Sequence, residues 1–293
     1  MKPSSAMRHR ITFVSTLIAT WVCAAMMPLT SALSAAPNPL VPDDSKFPME
    51  KWESKMSSFT FHVHEKDGHA LPYRMHLPSK VDPQEALPLV LFLHGAGERG
   101  ADNRKHLSHL ASSHPFWEST PCIILAPQCP SKEEVEHPDD GVWVQTPFGG
   151  TSHQMKANPP WPMRLVIALL DETIAKYPVD QNRIYVTGLS MGGYATWDLL
   201  QRFPKKFAAA MPICGGGDTD HAGKLVGIPL WVFHGAADEI VPVSRSRDMV
   251  QAIQKAGGKP TYTEYPDVTH DSWTRTYANK QVWEWMFDQK RVQ

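Results

Sequence analysis

Apolar residues along this chain gather in short runs separated by stretches of helical spacing. Leu87-Pro-Leu-Val-Leu-Phe-Leu93 is apolar throughout, the pattern of a central strand covered on both faces. Cys122–Ala126, Ile184–Thr187, Phe207–Ile213 and Pro229–Phe233 are further buried-strand candidates, and Thr261–Tyr265 is the last strand. Helices are predicted between them. Met163–Tyr177 directs Leu165, Val166, Leu169 and Leu170 to one side and stops at Pro178. Tyr194, Ala195, Trp197, Leu199 and Leu200 mark a second helix. Ser244–Ala256 has Ser244 as its N-cap and Gly257 at its end, and Ala278–Lys290 is amphipathic. Residues 103–112 are a short helix candidate. Upstream, Ser58–His64 alternates apolar and polar residues, a half-exposed strand, and Pro72–Leu77 is its antiparallel partner across the turn at Asp67-Gly68. Strand and helix alternate from residue 87 onward, behind that antiparallel pair. The expected fold is α/β: one doubly wound, mostly parallel sheet of about eight strands with an antiparallel N-terminal edge.

Two segments stand outside this alternation. Lys2, Arg8 and Arg10 precede the uncharged run Ile11–Met27, and small residues follow at 31–36. That order is a secretory signal peptide over residues 1–35, cleaved after Ser34 or Ala35; an uncleaved anchor is the alternative. Residues 36–57, with four prolines, read as an extended arm or linker, and 58–293 as the catalytic domain. Inside it, Gln128–Pro162 is a long insertion rich in Pro, Gly, His and Trp, and loops of that length are usually functional or disordered. Trp143, Phe148 and Trp161 would line a pocket for an aromatic or sugar ring, or else cover the edge of the core.

Composition is ordinary for a globular chain, with 42% hydrophobic and 20% charged residues. Losing Lys2, Arg8 and Arg10 takes the basic count from 29 to 26 against 30 acidic residues, a net charge of −4. With no basic patch or Arg-rich helix, a nucleic-acid partner is not expected. Export permits disulfides, but Cys122, Cys129 and Cys214 are an odd set. Cys122 and Cys129 bracket a strand that would hold them about 20 Å apart. Cys129–Cys214 is therefore the better pair, beside the reading that all three are small buried hydrophobes. His62 and His64 share one face of the first strand; lacking a third ligand at metal-site spacing, they read as an exposed strand face.

The chemistry concentrates where strands end. Gly188-Leu189-Ser190-Met191-Gly192 joins a strand to a helix, a cramped bend on which flanking glycines would let the serine project. The first helical N–H, on Met191, then points where an oxyanion forms. His94-Gly-Ala-Gly-Glu-Arg-Gly100 follows the apolar Leu87–Leu93 run, and Ala96 is the first choice for a second N–H donor. Asp238 and His270 also fall just past strand ends. Ser190, Asp238 and His270 thus stand in the order nucleophile, acid, base. A neutral hydroxyl needs a base to take its proton, and the base needs a carboxylate to fix its tautomer. Glu239 competes with Asp238, and His94 and His234 compete with His270; both of these histidines precede glycine and look structural.

From about residue 58 onward the chain resembles the α/β-hydrolase superfamily, and within it the dienelactone-hydrolase-like and feruloyl-esterase-like group, often labelled predicted peptidases or prolyl-oligopeptidase-family hydrolases. The resemblance rests on Leu93–Gly100, Ala126–Pro130, Val179–Trp197, Pro212–Asp218, Phe233–Asp238 and His270–Trp273. It implies Ser190, Asp238 and His270 as catalytic residues, oxyanion donors at Met191 and Ala96, and neither metal nor organic cofactor. Glu98, Arg99, Trp143, Trp161 and Trp273 are the substrate-pocket candidates. The expected activity is a secreted, periplasmic or extracellular serine carboxylic ester hydrolase. Its substrates would be small or aromatic acyl esters, including polysaccharide-linked ones, with no membrane contact beyond the signal. A serine peptidase is the alternative, and a non-catalytic binding protein on the same fold the remote one.

Overall fold

The computed structural model describes residues 51–79, 85–137 and 141–291. The signal-peptide reading of 1–35 lies outside them. Of the arm at 36–57 only the end is described: Glu53–Met56 form one 3-10 turn, with Met56 buried and Glu53 paired to Arg104 Nη2 at 2.6 Å. That end is docked on the domain.

In chain order the elements are β1 (Phe59–Lys66), β2 (His69–His76), β3 (Leu87–Leu93), α1 (His114–Ser119), β4 (Ile123–Pro127), α2 (Trp161–Lys176), β5 (Val179–Leu189) and α3 (Met191–Arg202). β6 (Ala209–Ile213), β7 (Trp231–Gly235), α4 (Ser244–Lys255), β8 (Thr261–Tyr265), α5 (Trp273–Tyr277) and α6 (Lys280–Asp288) complete them. The eight strands form one sheet in the order β1-β2-β4-β3-β5-β6-β7-β8. β2 runs antiparallel to both neighbours, and every pair from β4 to β8 is parallel. This is the expected α/β-hydrolase sheet. Asp67 and Gly68 close the first hairpin with φ of 53° and 77°, the two positive values of a type I′ turn.

β3 shows why the sheet is covered twice. All seven of its residues are buried. Leu87, Leu89, Leu91 and Leu93 join one core with Leu165, Val166 and Leu169 of α2, Leu199 and Leu200 of α3, and Met249 and Ile253 of α4. Val90 and Phe92 point the other way, into a core with Trp117 of α1, Tyr277 of α5 and Trp283 and Met286 of α6. The period of two along the strand thus builds three layers. The chain leaves β3 toward β4 and returns to β5 on its other side. Such a switch point opens a crevice at the C-terminal ends of the strands, and the loops after β3 and β5 carry Ala96 and Ser190.

Several elements differ from the pattern. Residues 103–112 form no α-helix but two 3-10 turns, Lys105–Leu107 and Leu110–Ser113. Asp102 Oδ1 accepts from the N–H groups of Arg104 and Lys105 at 2.7 and 3.0 Å, and such local bonds compete with a helix. Val243, not Ser244, precedes α4, and no side chain caps it. Its C-terminus is as expected: Gly257 has φ of 96°, and Gly258 N–H and Gly257 N–H reach Ile253 and Gln254 carbonyls, a Schellman ending. The last helix starts at Lys280, capped by Asn279 Oδ1 on Gln281 N–H at 3.0 Å. His64 is buried 3.5 Å from Glu172 of α2, and His62 stacks on Tyr73 at 4.9 Å; the strand face expected to be exposed is partly covered. Cys122, Cys129 and Cys214 are free and buried. The Cys129–Cys214 pair does not form, because the two residues pack in the cores on opposite faces of the sheet. No helix of the described residues is long and apolar enough to cross a membrane.

Candidate active site

Ser190 sits between β5 and α3 with φ of 53° and ψ of −116°. For a residue with a Cβ this conformation costs about 1–3 kcal/mol and persists only where the surroundings dictate it. They do: Ser190 N–H donates to Ile213 O at 3.0 Å, and Ser190 O accepts from Tyr194 N–H at 3.1 Å. The flanking glycines act through close packing, not through positive φ. A Cβ on Gly188 would lie 2.4 Å from Gly192 O, and one on Gly192 1.9 Å from Leu93 O. The strained residue is the serine itself. Met191 opens α3, so its N–H is a first-turn donor without an intrahelical acceptor.

Two loops bring polar groups to Ser190 Oγ. His270, beyond β8, places Nε2 3.0 Å from it, and Asp238, beyond β7, places Oδ2 2.7 Å from His270 Nδ1. A carboxylate can only accept, so the imidazole proton resides on Nδ1 and the Nε2 lone pair faces the serine hydroxyl. Asp238 Oδ1 accepts from Ile240 and Val241 N–H groups, both at 2.9 Å. Burial pushes the Asp238 carboxyl up, but hydrogen bonds from His234, His270 and Val241 outweigh it and hold the group well below the usual carboxylate range. Glu239 is exposed to solvent.

His94 and His234 have different places. His94 is fully buried, accepting from Cys129 N–H at 2.9 Å and donating from Nδ1 to Gly95 O at 2.6 Å. Burial pushes it down to about 4. His234 meets Ser246 Oγ at 2.7 Å through Nδ1, while Nε2 lies 3.0 Å from Val241 O and 3.2 Å from Asp238 Oδ2. It therefore touches the carboxylate directly, a contact that its four-residue separation from Asp238 could have signalled. Cys214 Sγ accepts from Ser190 N–H at 3.3 Å. Its sulfur and the ligand atoms of Asp238 and His270 lie within 4.8 Å of one another. That donor set suits a cation poorly: burial raises the Cys214 thiol and keeps it protonated, and Asp238 and His270 are bonded to each other.

Ala96 heads a 3-10 turn, Ala96–Glu98, just beyond β3. Its backbone is held from several directions. Trp143 Nε1 donates to His94 O at 3.1 Å, Arg99 Nε to Ala96 O at 2.8 Å, and Gln128 Nε2 to Glu98 O at 3.0 Å. Arg99 Nη1 also reaches Gly141 O at 3.0 Å. Trp143 is fully buried, and Trp161 packs in the core with its ring stacked on His69 at 4.4 Å. Both pack in the core. Phe148 lies against Tyr194, whose hydroxyl donates to Phe148 O at 2.9 Å. Trp273 is at the site, edge-to-face with His270 at 5.2 Å. Glu98 is bonded to His109, 3.1 Å from Nε2, a partner with no distinguishing signal in the sequence.

Known proteins share this arrangement of strands and loops. The family model described as phospholipase/carboxylesterase matches residues 78–281, a span that includes Ser190, Asp238 and His270. A bifunctional acetylxylan esterase/xylanase of Neocallimastix patriciarum is 26% identical over 214 residues, 68% of this chain and 27% of that protein. A poly(3-hydroxyalkanoate) depolymerase of Paucimonas lemoignei is 31% identical over 142 residues, 48% of this chain and 30% of that one. The chain thus spans less than a third of the length of these two relatives. Among solved structures, a thermostable esterase superposes with a TM-score of 0.71 at 38% identity, covering 81% of this chain and 64% of its own. A ferulic acid esterase, at 16% identity and a TM-score of 0.59 over 78% of this chain and 97% of that one, shares the fold. The chain belongs to the phospholipase/carboxylesterase family of α/β-hydrolases.

Proposed function

We propose that this protein is an exported serine ester hydrolase working through an acyl-enzyme, with Ser190 as nucleophile, His270 as base and Asp238 as the acid that orients it. The continuous line of bonds from Asp238 through His270 to Ser190, at 2.7 and 3.0 Å, carries this reading. In the first half-reaction Ser190 Oγ attacks the ester carbonyl carbon while His270 Nε2 takes its proton. The charge that develops on the carbonyl oxygen is met by the N–H groups of Met191 and Ala96. Collapse of this adduct breaks the bond to the alcohol, which leaves with the proton from His270. Water then repeats the sequence on the acyl-enzyme and releases the acid.

The substrate class we infer is small or aromatic acyl esters, including those attached to polysaccharides. Likeness to an acetylxylan esterase/xylanase supports it. Residues 58–293 form the catalytic domain in this reading, and the charged, then apolar, N-terminus supports export. Ser190→Ala is expected to lower p-nitrophenyl acetate turnover by about 10⁴- to 10⁶-fold, and turnover near wild type in that variant would overturn the mechanism.

A further inference from the structure

Outside the triad, one chain of hydrogen bonds crosses from the loop after β3 to the loop that carries His270. It begins at Trp273, three residues beyond His270, whose indole N–H can only donate. His109 Nδ1, 3.1 Å away, must accept. The neutral ring then carries its proton on Nε2, which faces Glu98 Oε1 at 3.1 Å. The two neighbours therefore define the His109 tautomer between them. At the far end, Glu98 closes the turn headed by Ala96. Its Oε2 is buried without a hydrogen-bond partner. That oxygen lies 3.0 Å from the point a Cβ on Gly95 would occupy, and Ser190 Cβ lies 3.5 Å from the same point.

We infer that Glu98, His109 and Trp273 are positioning residues, a strut that holds the Ala96 N–H donor and the His270 ring at a set separation across Ser190. The inference rests on the serine-hydrolase reading above. Other bonds to the oxyanion loop, from Trp143, Arg99 and Gln128, tie its backbone to the insertion, to itself and to the segment after β4. The Glu98–His109–Trp273 chain ties it to the histidine. Burial pushes the Glu98 carboxyl up, but the His109 hydrogen bond and the neighbouring His94 and His109 rings bring it below its ordinary value. The acceptor at the end of the strut thus stays ionised at neutral pH. Trp273 couples the strut to catalysis through its edge-to-face contact with His270 at 5.2 Å.

The test uses His109→Leu and Trp273→Phe, singly and together, beside His109→Gln, whose amide can accept from Trp273 and donate to Glu98. kcat and KM are measured on p-nitrophenyl acetate, with active sites counted by fluorophosphonate titration so that misfolded protein does not enter kcat. Each single variant is expected to lower kcat by about 10- to 100-fold with KM within about twofold, the pattern of a misplaced oxyanion donor. The double variant should be no slower than the slower single, since both cut one chain. His109→Gln should regain most of the loss. Wild-type kcat in His109→Leu, additive losses, or a KM rise at unchanged kcat, which would make these side chains substrate contacts, each overturns the inference. A wild-type protein that fluorophosphonate does not label would overturn the serine-hydrolase reading itself; a labelled wild type with an unaffected His109→Leu would remove the strut alone.

Discussion

At Ser190 the backbone itself stores the strain that exposes the hydroxyl, with φ at 53°. The strain is held because α3 presses onto β3 so closely that no side chain fits between them. Gly192 is the contact point. A Cβ there would lie 1.9 Å from Leu93 O and 2.8 Å from His94 O. Both are main-chain atoms and cannot rotate aside, so Gly192→Ala must part the helix from the strand. Overpacking of this kind typically costs about 1–3 kcal/mol, and backbone contacts that cannot yield place this one at the upper end. Gly192→Ala is therefore expected to lower the thermal midpoint by several degrees and to lower activity per titrated site, because His94 begins the loop proposed to supply the second oxyanion donor. An alanine variant with the wild-type midpoint and rate would refute this account of the bend. Asp238 is also over-determined, taking two backbone N–H groups on Oδ1 and two imidazoles on Oδ2.

At the scale of elements, the insertion after β4 is a pinned wall. Arg245, fully buried, donates to Thr151 O at 2.8 Å, and Asp218 Oδ2 accepts from Met155 N–H at 2.9 Å. Arg202 reaches Lys156 O and Ala157 O at 2.7 and 3.0 Å while pairing with buried Asp198 at 2.6 Å. Truncating Arg202 strands a buried carboxylate as well as freeing the loop. Arg202→Ala should cost about 3–5 kcal/mol in urea unfolding and let protease cut near residues 150–160 before the domain unfolds. Uncut, fully stable protein would contradict it. These clamps were not legible in the sequence, since each joins the insertion to a residue 45 or more positions away through a side chain and a main-chain group. β3 was legible to the residue because its apolar run is bounded by Glu85 and His94 on either side. β5 was only half legible: Asp180–Arg183 are polar, and Val179–Arg183 are only partly buried or exposed, which hides where the strand begins. The positions of Ser190, Asp238 and His270 could be read because each follows a strand end. His109 could not, because its partners Glu98 and Trp273 lie 11 and 164 residues away. Trp143 and Trp161 were ambiguous for a related reason: an irregular segment has no periodicity to show which way a ring faces.

The whole molecule titrates through histidines that the fold has buried. His94 and His106 are fully buried and His153 nearly so. Burial pushes His94 and His153 down to about 4 and His106 well below its ordinary value; nearby Arg and His charges add to it at His106 and His153, while Glu98 and Asp102 oppose it at His94. In the unfolded chain each returns to about 6.5. Above pH 6.5 neither state is protonated at these rings, and their contribution to stability is complete. Between pH 6.5 and 4 the unfolded chain binds protons that the folded one refuses, so stability falls with pH, by up to about 1.4 kcal/mol per unit for each ring. Three rings together approach about 4 kcal/mol per unit, against a total stability of about 5–15 kcal/mol for a typical domain. The Asp238 carboxyl, held well below the usual carboxylate range, keeps its charge throughout this window. Denaturant titrations at pH 7, 6, 5 and 4.5 are expected to show unfolding free energy that is level above about 6.5 and drops steeply below it. A flat stability profile down to pH 4.5 would mean that these rings are protonated in the folded state, and would overturn the assignment of His94 as a neutral acceptor for Cys129.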